Sequence, residues 1–165
     1  MLGPVVVLNV DILIFGMSQR KTTRRVSREQ SVFLELVRTT EILARRVSQI
    51  LKKEELSPTQ HDALGIVRGA PAGLSCGEIG TRLIARDPDI TRLLDRLEKR
   101  GLISRSRETK DRRMVTVRLT QTGLDLLDRL DEPVEAVHLE QLGHLGEKRL
   151  KQLSELLTAC RDRLA

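Results

Sequence analysis

The chain has 165 residues, 39% hydrophobic and 32% charged, with a formal net charge of +6. That length suits one domain with a core of its own, and that composition excludes a disordered polyelectrolyte. With Phe15 and Phe33 its only aromatic rings apart from histidines, it lacks the stacking platforms of single-strand and RNA readers; lysine and arginine suffice for the phosphates and groove edges of duplex DNA.

Residues 1–16, MLGPVVVLNVDILIFG, form an apolar run too short to span a bilayer. Asp11 interrupts it, and no positive charge leads it as in a signal peptide. Residues 1–26 read as an N-terminal extension, with a true start expected at Met17; an ordered N-terminal strand or packing segment is the alternative. Arg20, Lys21, Arg24, Arg25 and Arg28, with no acid among them, suit either a phosphate-contacting arm or a solvated leader.

Residues 27–165 are expected to form a single domain. From Ser27, a suitable N-cap, to Glu54, the residues Val32, Phe33, Leu36, Val37, Leu43, Val47, Ile50 and Leu51 keep a helical period. A second helix is predicted over Pro58–Arg68, capped by Ser57, with Pro58 in its first position and Gln60 completing a capping box. A third covers Gly77–Leu83 behind Ser75. In the fourth, Asp87 is the predicted N-cap, Pro88 the first helical residue and Gly101 the terminator. Ile90, Leu93, Leu94 and Leu97 fall on its apolar face, with Arg92, Asp95, Arg96 and Lys99 opposite. Two short helices joined tightly, the second with a polar outward face, make a helix-turn-helix.

Val115, Val117 and Leu119 alternate with Thr116 and Arg118 as in a half-buried strand, and residues 102–107 can pair with it. The tip between them, ETKDRR at 108–113, is a solvated turn or the end of a DNA-binding wing. Arg105, Arg107, Lys110, Arg112, Arg113 and Arg118 outnumber Glu108 and Asp111 over this stretch, whereas residues 121–165 carry more acids than bases. One part of the chain is dressed for an anion and another is not. Thr120 caps a helix through Leu124, Leu127 and Leu130, which Pro133 should kink or break. A last helix over Gly146–Leu164 aligns Leu150, Leu153, Leu156, Leu157 and Leu164. The first and the last two helices carry more apolar surface than so small a domain can cover, for which a homodimer interface is the economical explanation.

The fold class expected is mainly α with a small β-hairpin wing: a winged helix-turn-helix over 57–119, with dimerisation helices over 27–54 and 120–165. Cys76 and Cys160 have no zinc-ligand spacing and no disulfide framework, which fits a reducing cytoplasm. Cys76 near a helix start could be redox-active, and Cys160 is expected in the core or an interface. His138, Glu140 and His144 are clustered but poorly spaced for a metal. No nucleophile with a positioned base and no phosphate-cradling glycine loop appears, so neither an enzyme nor a cofactor is expected.

The segment TRLLDRLEKRGLISRSRETKDRRMVTVRLTQTG resembles the MarR family of transcriptional regulators, through Asp-Arg-Leu-Glu-Lys-Arg-Gly-Leu-Ile, then Asp-Arg-Arg, then Leu-Thr-x-x-Gly. The similarity runs from about Leu36 to the C-terminus. It implies an intertwined homodimer that binds double-stranded DNA, with each recognition helix in a major groove and each wing in the adjoining minor groove. Asp111 and Arg113 match the family's Asp-x-Arg wing motif: Arg113 would enter the minor groove, Asp111 would brace the wing, and Lys110 and Arg112 would meet phosphates or solvent. On the recognition helix Arg92 and Arg96 are the candidates for base or phosphate contact, with Thr91 and Pro88 near its start; Asp95 is expected to pair with Arg92 or Lys99. The resemblance also implies a small-molecule effector, and His61, where the family often has an aromatic residue, is the candidate pocket residue or pH sensor, a partly exposed helix histidine being the alternative. A nonspecific architectural DNA binder and a cysteine-based redox regulator are the alternatives.

Overall fold

The computed structural model describes residues 26–84, 89–107 and 115–163. The chain divides after Val37 into two compact units. The first contributes the opening turns of helix α1 (Arg28–Lys53), where Ser27 Oγ accepts from the Gln30 N–H at 3.1 Å, as predicted for an N-cap. The second begins at Arg38 and holds every other described element.

Helix α2 (Pro58–Arg68) starts with the predicted capping box: Ser57 accepts from the Gln60 N–H while the Gln60 side chain accepts from the Ser57 N–H. The same arrangement, with Ser75 and Glu78, opens α3 (Cys76–Arg82) one residue earlier than the sequence suggested. Just before it, Leu74–Ser75 forms a two-residue strand, β1, too short to leave a period in the sequence.

Helix α4 (Ile90–Lys99) departs from the expected start. Its N-cap is Asp89, whose carboxylate accepts from the Arg92 N–H at 3.1 Å, rather than Asp87. Asp-Pro-Asp offers two capping carboxylates two residues apart, and local preference cannot choose between them; Asp87 and Pro88 lie outside the described residues. Gly101, at φ 68°, ends the helix in a left-handed conformation that glycine adopts without a Cβ penalty.

Strands β2 (Ile103–Arg107) and β3 (Val115–Leu119) pair antiparallel from Ile103↔Leu119 to Arg107↔Val115, and β1 adds to the far side of β3. The expected hairpin is therefore the larger part of a three-stranded sheet. Helix α5 (Gln121–Leu142) is capped by Thr120, as predicted, and passes through Pro133 as one uninterrupted helix, which corrects the expected break. Proline removes one backbone donor, but Leu126, Leu127 and Leu130 before it and Val137 after it are buried and hold the helix together. A 3-10 turn, Gly143–Leu145, leads into α6 (Gly146–Asp162), in which no described residue is buried; Leu164 lies outside the described residues.

Leu64, Ile79, Leu94, Leu97, Ile103, Val117 and Leu127 are fully buried. They come from α2, α3, α4, the two long strands and α5, so one core holds the helix-turn-helix against the sheet. The α4 leucines fill it because their spacing of three and four keeps them on one side.

Candidate nucleic-acid interface

Leu93, Leu94 and Leu97 anchor α4 inward, and this leaves Thr91, Arg92 and Arg96 exposed along the other side. Arg92 Nε lies 3.0 Å from a carboxylate oxygen of Asp89, one turn back. Both side chains are largely in water, so the pair contributes little to stability and leaves the guanidinium available to a phosphate or a base edge. Arg96, two turns from the cap, is exposed as well.

Asp95 does not pair with Arg92 or Lys99 as expected. Its carboxylate meets Arg105 Nη1 at 2.7 Å, and Arg105 Nε lies 3.7 Å from Glu98. The same guanidinium donates from Nη2 to the Thr91 carbonyl at 3.3 Å. The physical reason is that β2 packs along α4, which brings a strand arginine to the helix side chains that lie next to the wing. At 18% side-chain exposure Arg105 is well shielded from solvent. It straps α4 to the sheet and offsets the charge of two acids on that side of the helix. Sequence reasoning gave Arg105 no role beyond adding to the local charge.

Strand β3 carries Arg118, whose Nη1 donates to Ser106 Oγ across the hairpin at 2.8 Å. Lys110, Asp111, Arg112 and Arg113, between the paired strand ends, lie outside the described residues, as does Pro88.

His61 lies on α2 and lines a cleft of about 500 Å³ together with the apolar Val47, Leu51, Ile66, Ile84 and Val134 and the polar Asp62 and His138. Burial, and then the nearby Arg68 charge, hold the His61 imidazole below the ordinary histidine value, against the opposing pull of Asp131 and Asp62. Arg68 grips Asp131 with two parallel hydrogen bonds of 2.7 and 2.9 Å, which fasten α2 to α5 and hold the Asp131 carboxyl below the usual range. Asp62 reaches the other way: its carboxylate accepts from the Ile84 N–H at 2.8 Å. One rim of the cleft is thus attached to the backbone just ahead of residues 85–88, which lead into α4.

The cysteines stand apart from this cleft. Cys76 is half-buried against the core, while Cys160 is exposed on α6, which corrects the core placement. Of the suggested metal cluster, Glu140 is engaged by Arg46 at 2.7 Å and His138 lines the cleft. Among the described residues no three His, Cys, Asp or Glu side chains come together as metal ligands, and no helix is long and apolar enough to cross a membrane.

A helix-turn-helix strapped to a β-wing, with an arginine-bearing face turned outward, defines a winged-helix DNA-binding protein. Residues 56–115 match the sequence profile of the MarR family, and the chain is 31% identical over 124 residues to the HTH-type transcriptional regulator PecS of Dickeya dadantii, covering 74% of this chain and 75% of the relative. The chain belongs to the MarR family, whose members are DNA-binding transcription regulators and not enzymes. It is also similar to the crystal structure of a MarR transcription factor from Planctomyces limnophilus, at 40% identity and a TM-score of 0.63 over 81% of this chain and 97% of that one. A mutant MarR from E. coli, complexed with operator DNA, shares the fold at 23% identity and a TM-score of 0.71, over 79% of this chain and 93% of that one.

Proposed function

We propose that this chain is a sequence-specific regulator of transcription that binds a pseudo-palindromic operator as a homodimer in the cytoplasm and represses until a small organic anion releases it. The observation that carries the reading is the exposed Thr91, Arg92 and Arg96 face on a helix that Arg105 straps to the wing strand. Such a face suits a major groove, where arginine donates to both acceptors of guanine, while Arg113 at the wing tip is suited to the negative potential of a narrow minor groove. Asp111 then braces the wing, Lys110 and Arg112 meet phosphates, and Pro88 stands beside the groove-facing helix start. The dimer reading draws support from Ile42, Leu139 and Leu156, exposed large apolar side chains on three different helices. Two copies related by a two-fold axis would read half-sites about 10 base pairs apart.

The test is a fluorescence-anisotropy titration of the wild-type and Arg113→Ala proteins against the gene's own upstream DNA and a scrambled duplex, at two salt concentrations. Tight, salt-sensitive binding to the upstream DNA alone is expected, with the substitution weakening it about tenfold, the loss of one good groove contact. Equal binding to both duplexes would replace this reading with that of an architectural binder.

The effector cleft has its own signature. A carboxylate seated beside His61 favours the imidazolium, whose pKa burial and Arg68 depress in the free protein, so binding takes up a proton and anion affinity falls as pH rises through the bound-state pKa. Asp62, Asp131, Arg68 and His138 also bear on the site, but none of them is removed by replacing His61. Benzoate is therefore expected to displace the protein from DNA more effectively at pH 6 than at pH 8, and His61→Gln should flatten that difference. An unchanged pH dependence in the variant would remove His61 from the effector site.

A further inference from the structure

Helix α1 closes in a turn where the Leu51 carbonyl accepts from the Glu54 N–H at 3.1 Å and the Leu56 N–H at 2.9 Å, while Lys52 accepts from the Glu55 N–H at 3.1 Å. The final carbonyls of such a helix have no helical donor. Glu55 sits at φ 54°, a left-handed conformation that a Cβ disfavours. One side chain takes two consecutive carbonyls of the turn beyond the helix: Arg100 donates from Nη1 to Glu55 O and from Nη2 to Glu54 O, each at 2.8 Å.

Arg100 is the C-cap residue of the recognition helix α4. On sequence alone its charge has a local explanation, since a cation is favoured at a helix C-terminus. In the fold it is spent on a turn some 45 residues away. The same end of α4 is fastened a second time, because the Thr120 N–H donates to Leu102 O at 3.1 Å and Thr120 Oγ1 to Gly101 O at 2.6 Å. The C-terminal end of the recognition helix is therefore pinned to the end of α1 and the start of α5. Toward its groove-facing start α4 is held by the Asp89 cap and, through the Thr91 carbonyl, by Arg105.

A guanidinium fork set on two consecutive carbonyls restrains direction as well as distance, which a lysine ammonium cannot do. A helix of ten residues is about 15 Å long, so a tilt of roughly 10° about the pinned end would carry its start by about 2.5 Å. That exceeds what hydrogen bonds to base edges tolerate.

We propose that Arg100 is a positioning residue that sets the separation at which the two recognition helices of the dimer read their half-sites, by locking α4 to the end of α1. The proposal rests on the homodimeric, operator-reading function above. It assigns Arg100 a contact within the protein rather than one to phosphate, and the salt series below separates the two.

Wild type, Arg100→Gln and Arg100→Lys are to be titrated by anisotropy against the upstream operator and against versions with the spacer changed by one or two base pairs, over a series of salt concentrations. Both variants are expected to lose about tenfold on the native spacing and much less on the altered ones, flattening the spacing profile. Their salt dependence should keep the wild-type slope, whereas a lost phosphate contact would lower it by about 0.9. Arg100→Lys retains the charge and so tests the fork even if Arg100→Gln folds poorly. A wild-type profile in Arg100→Lys, or a reduced slope with the profile intact, would overturn the proposal. Wild-type protein with no spacing preference would instead overturn the operator-reading function itself, before any variant is compared.

Discussion

Arg105→Ala is expected to weaken operator binding by about tenfold. The substitution removes the cation that Asp95 holds at 2.7 Å and that also lies beside Glu98. Breaking a fully buried pair of this kind by deleting one partner costs about 3–5 kcal/mol. Here Asp95 and Glu98 are 45% and 41% exposed, and water screens what remains, so about 1–2 kcal/mol is the appropriate figure. The loss falls more on binding than on folding, because the two orphaned carboxylates sit on the recognition helix and repel phosphates. Arg105→Lys should recover part of the affinity, since an ammonium can meet one carboxylate but cannot fork between Asp95, Glu98 and the Thr91 carbonyl. Anisotropy on the operator, with a thermal melt to show that the fold persists, measures both effects. Operator affinity equal to wild type in Arg105→Ala would show that the strap has no part in DNA reading.

Gly123→Ala should lower the melting temperature, the reverse of what a glycine-to-alanine change does on an open helix. A Cβ at residue 123 would stand 2.1 Å from Leu102 O, 2.9 Å from Leu119 Cδ2 and 3.1 Å from the Leu102 carbonyl carbon. Two of those neighbours are backbone, in the segment that joins α4 to β2, and cannot swing aside as a side chain would. Overpacking of this kind costs about 1–3 kcal/mol, and more where backbone must move, while alanine's helix preference returns about 1 kcal/mol. A net loss of about 2 kcal/mol corresponds to roughly 4–8 °C in a domain of this size. The glycine of Leu-Thr-x-x-Gly thus serves the approach of α5 to the end of the recognition helix, beside the Thr120 hydrogen bonds to Gly101 and Leu102. A melting temperature that rises in the variant would show that the two segments do not lie this close.

These two sites sit on either side of the recognition helix. Arg105 holds its flank to the wing strand, and Gly123, with Thr120 and Arg100, holds its C-terminal end to the long helices. A separate contact lies at the cleft, where Asp62 accepts from the Ile84 N–H.

What the sequence determined by itself was set by short-range physics. The capping box at Ser57, the caps at Ser27, Ser75 and Thr120 and the glycine stop at 101 depend on residues three or four apart, and each is found in the structure. The leucine spacing of α4 likewise named the face that is buried, and with it the exposed Arg92 and Arg96. The tertiary structure decided what the same residues do across the fold. It chose Asp89 over Asp87 as the cap, kept α5 whole through Pro133, added β1 to the sheet, and gave Asp95 to Arg105. It also turned Arg100 toward a turn far away in the chain and gathered His61, Asp62 and His138 around one cleft. The physical reason is the same in each case. A cap or a hydrophobic period is fixed by neighbours along the chain, whereas the partner of a charged side chain is decided by which elements the core has brought within about 4 Å, and no spacing in the sequence records that distance.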